Sequence, residues 1–225
     1  CLFLNVWSGA TNPAERRPVM VWIHGGAFNW GTTSSPTFDG TRFAEQGVVL
    51  VSLAYRLGVF GFLAHPQLSR ESGKGSGAYA LQDQIAALKW VRQNIRQFGG
   101  DPTRITIFGE SSGGIAVSLL AAAPAARGLF HRAISESGGA FNHGQLSSLG
   151  VAEATGQRFL QELGAADIEA ARSLSVNRLL EAASGPGPLK FAPLIDGDIV
   201  RGANDELYRA GLFNDTPILI GFNSD

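Results

Sequence analysis

A chain of 225 residues with 44% hydrophobic and 16% charged side chains has the composition of a globular domain, long enough to bury roughly 70% of its unfolded surface. Its 18 basic and 19 acidic side chains nearly cancel to a net charge of −1, which argues against a nucleic-acid or anionic-lipid partner, since either needs a positive field. The longest weakly polar run, Ile115 to Ala126, contains Ser118 and Pro124 and is shorter than the roughly 20 residues that span a bilayer, so no membrane span is expected.

The chain opens on Cys1-Leu2-Phe3-Leu4-Asn5-Val6-Trp7, an extended pattern with neither an initiator methionine nor a signal peptide before it, and so reads as a piece of a longer protein. Cys1 is the only cysteine, so no disulfide can close within the chain and the compartment stays open. Strands are predicted at Val19 to Ile23, Val48 to Leu53, Ile105 to Phe108, Ala133 to Ser135 and Pro217 to Ile220. Segments of helical period alternate with them, which implies a mostly parallel central sheet flanked by helices. The strongest helix covers Ala78 to Phe98, where Leu81, Ile85, Leu88, Val91 and Ile95 recur every three or four residues until Gly99-Gly100 stops the pattern. Asp101-Pro102 then reads as a turn. From about 150 to 184 the pattern is helical without strands, and both a cap over a site and a peripheral helical layer fit it. Gly185-Pro186-Gly187-Pro188 forces a loop, and Leu189 to Ile195 is extended again.

Gly109-Glu110-Ser111-Ser112-Gly113 fits the Gly-x-Ser-x-Gly nucleophile elbow. With 29 glycines the bare pattern arises by chance about 0.3 times in such a chain, so context must decide between an elbow and an ordinary glycine-rich turn. The context is a predicted strand before Gly109 and a helix-compatible run, Gly114 to Ala123, after it. A helix starting beside Ser111 supplies a partial positive charge and free backbone N–H groups, with that of Ser112 directed at a developing oxyanion. A second donor source is Ile23-His24-Gly25-Gly26-Ala27-Phe28, a glycine-rich turn at the end of a strand. Alone, this turn is equally well an ordinary loop. Gly73-Lys74-Gly75-Ser76-Gly77 prompts a nucleotide-binding reading but follows no strand and has neither Walker nor dinucleotide spacing, so a loop is expected.

These blocks together resemble the type-B carboxylesterase family, relatives of the cholinesterases. The resemblance runs through Cys1 to Trp7, Val21 to Phe28, Tyr55-Arg56-Leu57-Gly58-Val59-Phe60-Gly61-Phe62 (a long loop in that reading), Leu81-Gln82-Asp83-Gln84 to Trp90, Phe98 to Pro102, the elbow, and Phe130 to Ser135. It implies a partial α/β-hydrolase domain over residues 1–225, truncated on its C-terminal side. It also implies a serine carboxylic-ester hydrolase with no metal or organic cofactor, a small-molecule ester as substrate, Ser111 as nucleophile, and the backbone N–H groups of Gly26, Ala27 and Ser112 as the oxyanion hole. The family usually has Ala where Ser112 stands and often Gly where Ala27 stands, but main-chain donors survive either change. The Gly-Gly-Ala turn resembles members that accept bulky alcohols. Glu110 resembles a carboxylate lining the site, and a solvated or structurally hydrogen-bonded glutamate is its alternative. Ser137 resembles a buried serine near the triad acid, with a plain strand-end turn as the alternative.

A serine nucleophile of this kind needs a histidine base oriented by a carboxylate, in the chain order nucleophile, acid, histidine. His131 and His143 follow Ser111 too soon and read as an element-end and a surface-loop residue; His24 reads as structural and His65 as a loop residue. Pro217 to Asp225 resembles the family's strand leading to Asn-x-Asp-Glu, whose Glu is the triad acid, with Asp225 directly before it. The expectation is therefore that acid and histidine lie beyond residue 225, that the 225-residue piece alone is nearly inert, and that its last strand leaves an apolar edge. A non-catalytic binding or adhesion relative on the same scaffold is the rival reading.

Overall fold

The computed structural model describes residues 2–139, 146–184 and 191–224. Cys1, His143, the glycine-proline loop from Gly185 to Pro188, Leu189 and Asp225 lie outside the described residues. In chain order the elements are β1 (Leu4–Trp7), β2 (Arg17–Ile23), α1 (Thr41–Glu45), β3 (Val49–Leu53), α2 (Gly58–Phe62), α3 (Pro66–Ser72), α4 (Tyr79–Asn94), β4 (Gly100–Glu110), α5 (Ser112–Ala122), β5 (Arg132–Glu136), β6 (Ser147–Ser148), α6 (Leu149–Leu163), α7 (Ile168–Arg172), α8 (Val176–Ala183), β7 (Leu194–Ile195), α9 (Asn204–Arg209) and β8 (Ile218–Gly221).

Six strands form one sheet in the order β1-β3-β2-β4-β5-β8, with β1 antiparallel to β3 and every other pair parallel. This is the mostly parallel, helix-flanked sheet that the alternation of patterns implied. Period-2 patterning sets its faces: Val19, Val21 and Ile23 pair with Val49, Val51 and Leu53 on one side and with Ile105, Ile107 and Gly109 on the other, and the apolar members are fully buried. They share one core with Leu81, Ile85, Leu88 and Val91 of α4 and with Val117, Leu119 and Leu120 of α5. The opposite face carries Trp22 and Phe108, whose rings meet at 4.9 Å and are flanked by Phe38 and Phe43. On β8, Leu219 and Ile220 remain 66% and 45% exposed, so that side of the sheet ends on an apolar strand.

Three local expectations are corrected. Helix α4 ends at Asn94, and Ile95–Phe98 continue as a 3-10 turn that Gly99 closes at φ 76. Within the expected loop from Tyr55 to Phe62, residues Gly58–Phe62 form α2, while His65 caps α3 by accepting the Gln67 N–H on Nδ1 at 3.2 Å. Asp101 and Pro102 belong to β4, which pairs Gly100 with Arg17 and then bulges before Ile105 pairs with Val19. The turn chemistry is present inside that bulge: the Asp101 carboxylate accepts from the Thr103 N–H at 2.9 Å and the Thr103 hydroxyl at 2.7 Å.

Asp101 also takes two bonds from the Arg16 guanidinium, at 3.1 and 3.3 Å, and these partners hold its carboxyl well below the usual carboxylate range. Because the folded value is depressed, the stabilisation is fully present above the unfolded value near pH 4 and is lost as pH falls through the lower folded value. Asp101→Asn in the full-length protein is therefore expected to cost about 1–2 kcal/mol at pH 7, discounted for the half-exposed Arg16. Urea titrations should show the gap to wild type closing below about pH 4.

The helices from 149 to 183 pack on α2 and α3 and border a cavity of about 470 Å³ lined by Val59, Phe60, Phe159, Ile168, Leu174 and Leu179 among others. Ser111, Gly26 and Ala27 are not part of that lining. No helix among the described residues is long and apolar enough to cross a membrane.

Candidate active site

Strand β4 carries the chain to Glu110, and α5 begins at Ser112, so all of the reversal falls on Ser111, which has φ 55 and ψ −124. A non-glycine residue there costs about 1–3 kcal/mol and persists only where its surroundings over-determine it. Those surroundings are visible. The Ser111 N–H donates to the Glu136 carbonyl at the end of β5 at 2.8 Å, and the Ser111 carbonyl accepts from the Ile115 N–H at 2.9 Å. A Cβ on Gly109 would stand 2.6 Å from the Ile23 carbonyl oxygen, and one on Gly113 would run into that same oxygen more closely still. The two glycines of the motif are thus required by the approach of α5 to the end of β2. The result is a half-exposed Ser111 at the C-terminal edge of the sheet, beside the positive end of an 11-residue helix. At the helix start the Ser112 N–H has no carbonyl one turn earlier to bond, as at any helix N-terminus.

The turn after β2 lies against this elbow. A Cβ on Gly25 would be 2.7 Å from the Glu110 carbonyl oxygen and 3.3 Å from the Ser111 Cβ. Gly26 follows at φ 113, a conformation open in practice only to glycine, and its carbonyl accepts from the N–H groups of Asn29 and Trp30 at 3.0 and 3.1 Å. Ala27 and Phe28 then adopt φ 52 and 62, so two residues with side chains hold left-handed backbone in succession. Among the described residues no acceptor takes a hydrogen bond from the N–H of Gly26 or Ala27. Gly26, Ala27, Ser111 and Ser112 are therefore brought together, with two N–H groups unengaged.

Beneath the turn, Tyr55 donates its hydroxyl to the His24 carbonyl at 2.7 Å and stacks its ring on the His24 imidazole at 4.5 Å. Burial drives the Tyr55 phenol well above its ordinary range, and it drives the His24 imidazole down, so both are neutral at pH 7. The Ser112 hydroxyl accepts the Phe28 N–H at 3.3 Å. Behind α5, the Ser135 hydroxyl donates to the Gly114 carbonyl at 2.9 Å and accepts from Ser118 at 3.3 Å. Sequence reasoning missed Tyr55, Ser135 and the Ser112 side chain as supports, because their partners lie 17 to 84 residues away and no local pattern marks them.

Glu110 is exposed at the end of β4, with its carboxylate beside Gly25, in register with Glu136 of β5. Ser137 has φ 51 and donates its N–H to the Gly221 carbonyl at 2.7 Å, tying the end of β5 to β8. The described histidines are engaged elsewhere. His24 is buried with Nδ1 donating to the Gly25 carbonyl at 2.8 Å, and His65 caps α3. His131 accepts the Ile105 N–H on Nδ1 at 3.1 Å, beside the middle of β4 and roughly 16–20 Å along the strand from Ser111.

Comparison with known proteins gives this arrangement relatives. A model of the carboxylesterase family matches residues 1–225. The chain is 42% identical over 234 residues to the fumonisin B1 esterase of Sphingopyxis macrogoltabida, covering 100% of this chain and 42% of that protein. It is 42% identical over 236 residues to the para-nitrobenzyl esterase of Bacillus subtilis (strain 168), covering 100% and 47%. Among solved structures, the carboxylesterase EST55 of Geobacillus stearothermophilus at pH 6.2 aligns with a TM-score of 0.87 and 43% identity over 99% of this chain and 47% of that one. The chain thus spans under half the length of these relatives. The match along all 225 residues and the helix-flanked parallel sheet lead to one conclusion: this chain belongs to the carboxylesterase family and has the α/β-hydrolase fold.

Proposed function

We propose that Ser111 is the nucleophile of a serine carboxylic-ester hydrolase that works through an acyl-serine intermediate. The observation that carries the reading is the strained Ser111 at a strand-to-helix junction, set against a turn whose Gly26 and Ala27 N–H groups have no protein acceptor among the described residues. In this reading the Ser111 Oγ bonds to the ester carbonyl carbon while the carbonyl electron pair moves onto oxygen. The resulting oxyanion accepts from the N–H groups of Gly26, Ala27 and Ser112, each such donor contributing about 3 kcal/mol to the transition state. Collapse expels the alcohol, which takes up the proton removed from Ser111, and water attacks the acyl-serine to release the acid. Glu110, exposed beside Gly25, is read as a carboxylate lining the site.

The proton needs a base. His24, His65 and His131 are committed to the bonds described above and His143 follows Ser111 too soon in the chain for the base, so the histidine and its orienting acid are assigned to parts of the protein outside residues 1–225, in the order nucleophile, acid, histidine. The substrate is a small-molecule ester, and the mechanism calls on no metal or organic cofactor.

The test is covalent labelling of the full-length protein with a fluorophosphonate. The expected result is one stoichiometric adduct, mapped to Ser111, with parallel loss of p-nitrophenyl ester turnover. A protein that takes no label would instead be a binding relative on the same scaffold.

A further inference from the structure

We infer that the Ser112 hydroxyl is a positioning group for the oxyanion turn: by holding the Phe28 peptide, it sets where the Gly26 and Ala27 N–H groups stand relative to Ser111. The inference rests on the hydrolase reading given above and adds a role for a side chain whose main chain alone that reading uses.

Bonds within the turn fix its carbonyls: that of Gly26 accepts from the Asn29 and Trp30 N–H groups, and that of Ala27 from the Asn29 side-chain amide at 2.8 Å. Ala27 and Phe28 nevertheless both have positive φ, a conformation that side chains resist, and the turn needs ties to its surroundings to keep its place. Restraint is concentrated at Phe28. Its N–H donates to the Ser112 Oγ at 3.3 Å, its carbonyl accepts from the Gly58 N–H at 2.7 Å, and its buried ring meets Phe62 edge-on at 5.2 Å. Gly58 and Phe62 belong to α2 and fix the turn to the body of the protein. Toward the elbow, Gly25 packs against Glu110 and Ser111, and the buried Ser112, next to Ser111, adds a hydrogen bond. The bond to Phe28 is thus a direct tie between the two halves of the oxyanion hole, across 84 residues of sequence. Tyr55 supports the same point from below: its hydroxyl holds the His24 carbonyl, and the Ser112 hydroxyl lies close enough to the phenol to oppose the rise that burial imposes on it.

Catalysis is sensitive to such a tie. Misplacement of a catalytic group by about 1 Å costs on the order of 100-fold in rate, so relaxation of the turn by a few tenths of an ångström is expected to cost about tenfold. Alanine at 112 keeps the main-chain donor of that residue and removes only the hydroxyl, which makes Ser112→Ala the variant that isolates the effect.

The experiment uses the full-length protein. In Ser112→Ala, kcat and kcat/KM for a p-nitrophenyl ester should both fall about tenfold with KM within twofold of wild type, the pattern of an interaction made in the transition state only. Affinity for a trifluoromethyl ketone, which forms a tetrahedral adduct on the serine, should weaken by the same factor, and the Phe28 amide should exchange with solvent at least tenfold faster. Ser112→Cys, with a weaker acceptor in the same place, should fall between the two and serves if alanine compromises folding. Unchanged kcat, a loss confined to KM, or unchanged exchange at Phe28 would overturn the positioning role even where Ser111 takes the fluorophosphonate. A wild-type protein that takes no fluorophosphonate removes the hydrolase reading itself and this inference with it.

Discussion

Ser111→Ala in the full-length protein is expected to lower kcat for a short p-nitrophenyl ester by four to six orders of magnitude, with KM little changed and no fluorophosphonate adduct. The magnitude follows from what remains: without a nucleophile, the oxyanion donors and binding contacts of a serine hydrolase typically retain only about 10³–10⁴ of rate over water. Ser111→Gly should be equally inactive and should melt a few degrees higher. Glycine relieves the cost of φ 55 and ψ −124, and a gain of about 1 kcal/mol raises the melting temperature by roughly 2–4 °C in a domain of 150–250 residues and by less in a larger one. Stopped assays and differential scanning calorimetry read the two effects separately. Turnover above about 1% of wild type in either variant would remove Ser111 from the chemistry.

The second large effect is structural. Gly113→Ala is expected to cost more than about 4 kcal/mol, seen as insoluble protein or a collapse of the urea midpoint. Its new Cβ runs into the Ile23 carbonyl oxygen and comes to 3.0 Å from the His24 carbonyl carbon, and neither backbone atom can step aside without parting β2 from α5. Elbow and oxyanion turn would be displaced together. Gly150→Ala at the start of α6 is the control: a Cβ there meets open space, and the change should stay within about 0.5 kcal/mol. Equal losses in the two variants would refute the steric argument.

Much of the framework was legible because it is written in short-range patterns. The alternation of Val19, Val21 and Ile23 announces β2, and the three-and-four spacing of Leu81, Ile85 and Leu88 announces α4. Gly109 and Gly113 are legible as an elbow because the motif encodes a packing constraint between helix and strand. Asp101-Pro102 misled in one respect. Its turn is local, but whether a turn ends a strand or bulges within it depends on Arg17 and Val19, far away in the sequence. The left-handed Ala27 and Phe28 were not legible, since no propensity favours that backbone for those residues and it is sustained by contacts such as those of Phe28 with Ser112, Gly58 and Phe62, which are distant in the chain. The same holds for Tyr55 under the turn.

The approach of Gly113 to Ile23 has a kinetic consequence. The residues that build the elbow are drawn from β2, β4 and β5, and the register that joins them pairs Ile23 with Gly109 and Glu110 with Glu136. Parallel pairings of this kind close long loops before any contact repays the entropy, which makes them slow to form. The strained backbone of Ser111 and its contact with the turn after β2 cannot exist in a chain where β2 and β4 have not yet met. The junction at Ser111 is thus expected to form late in folding, after the strands around it have paired.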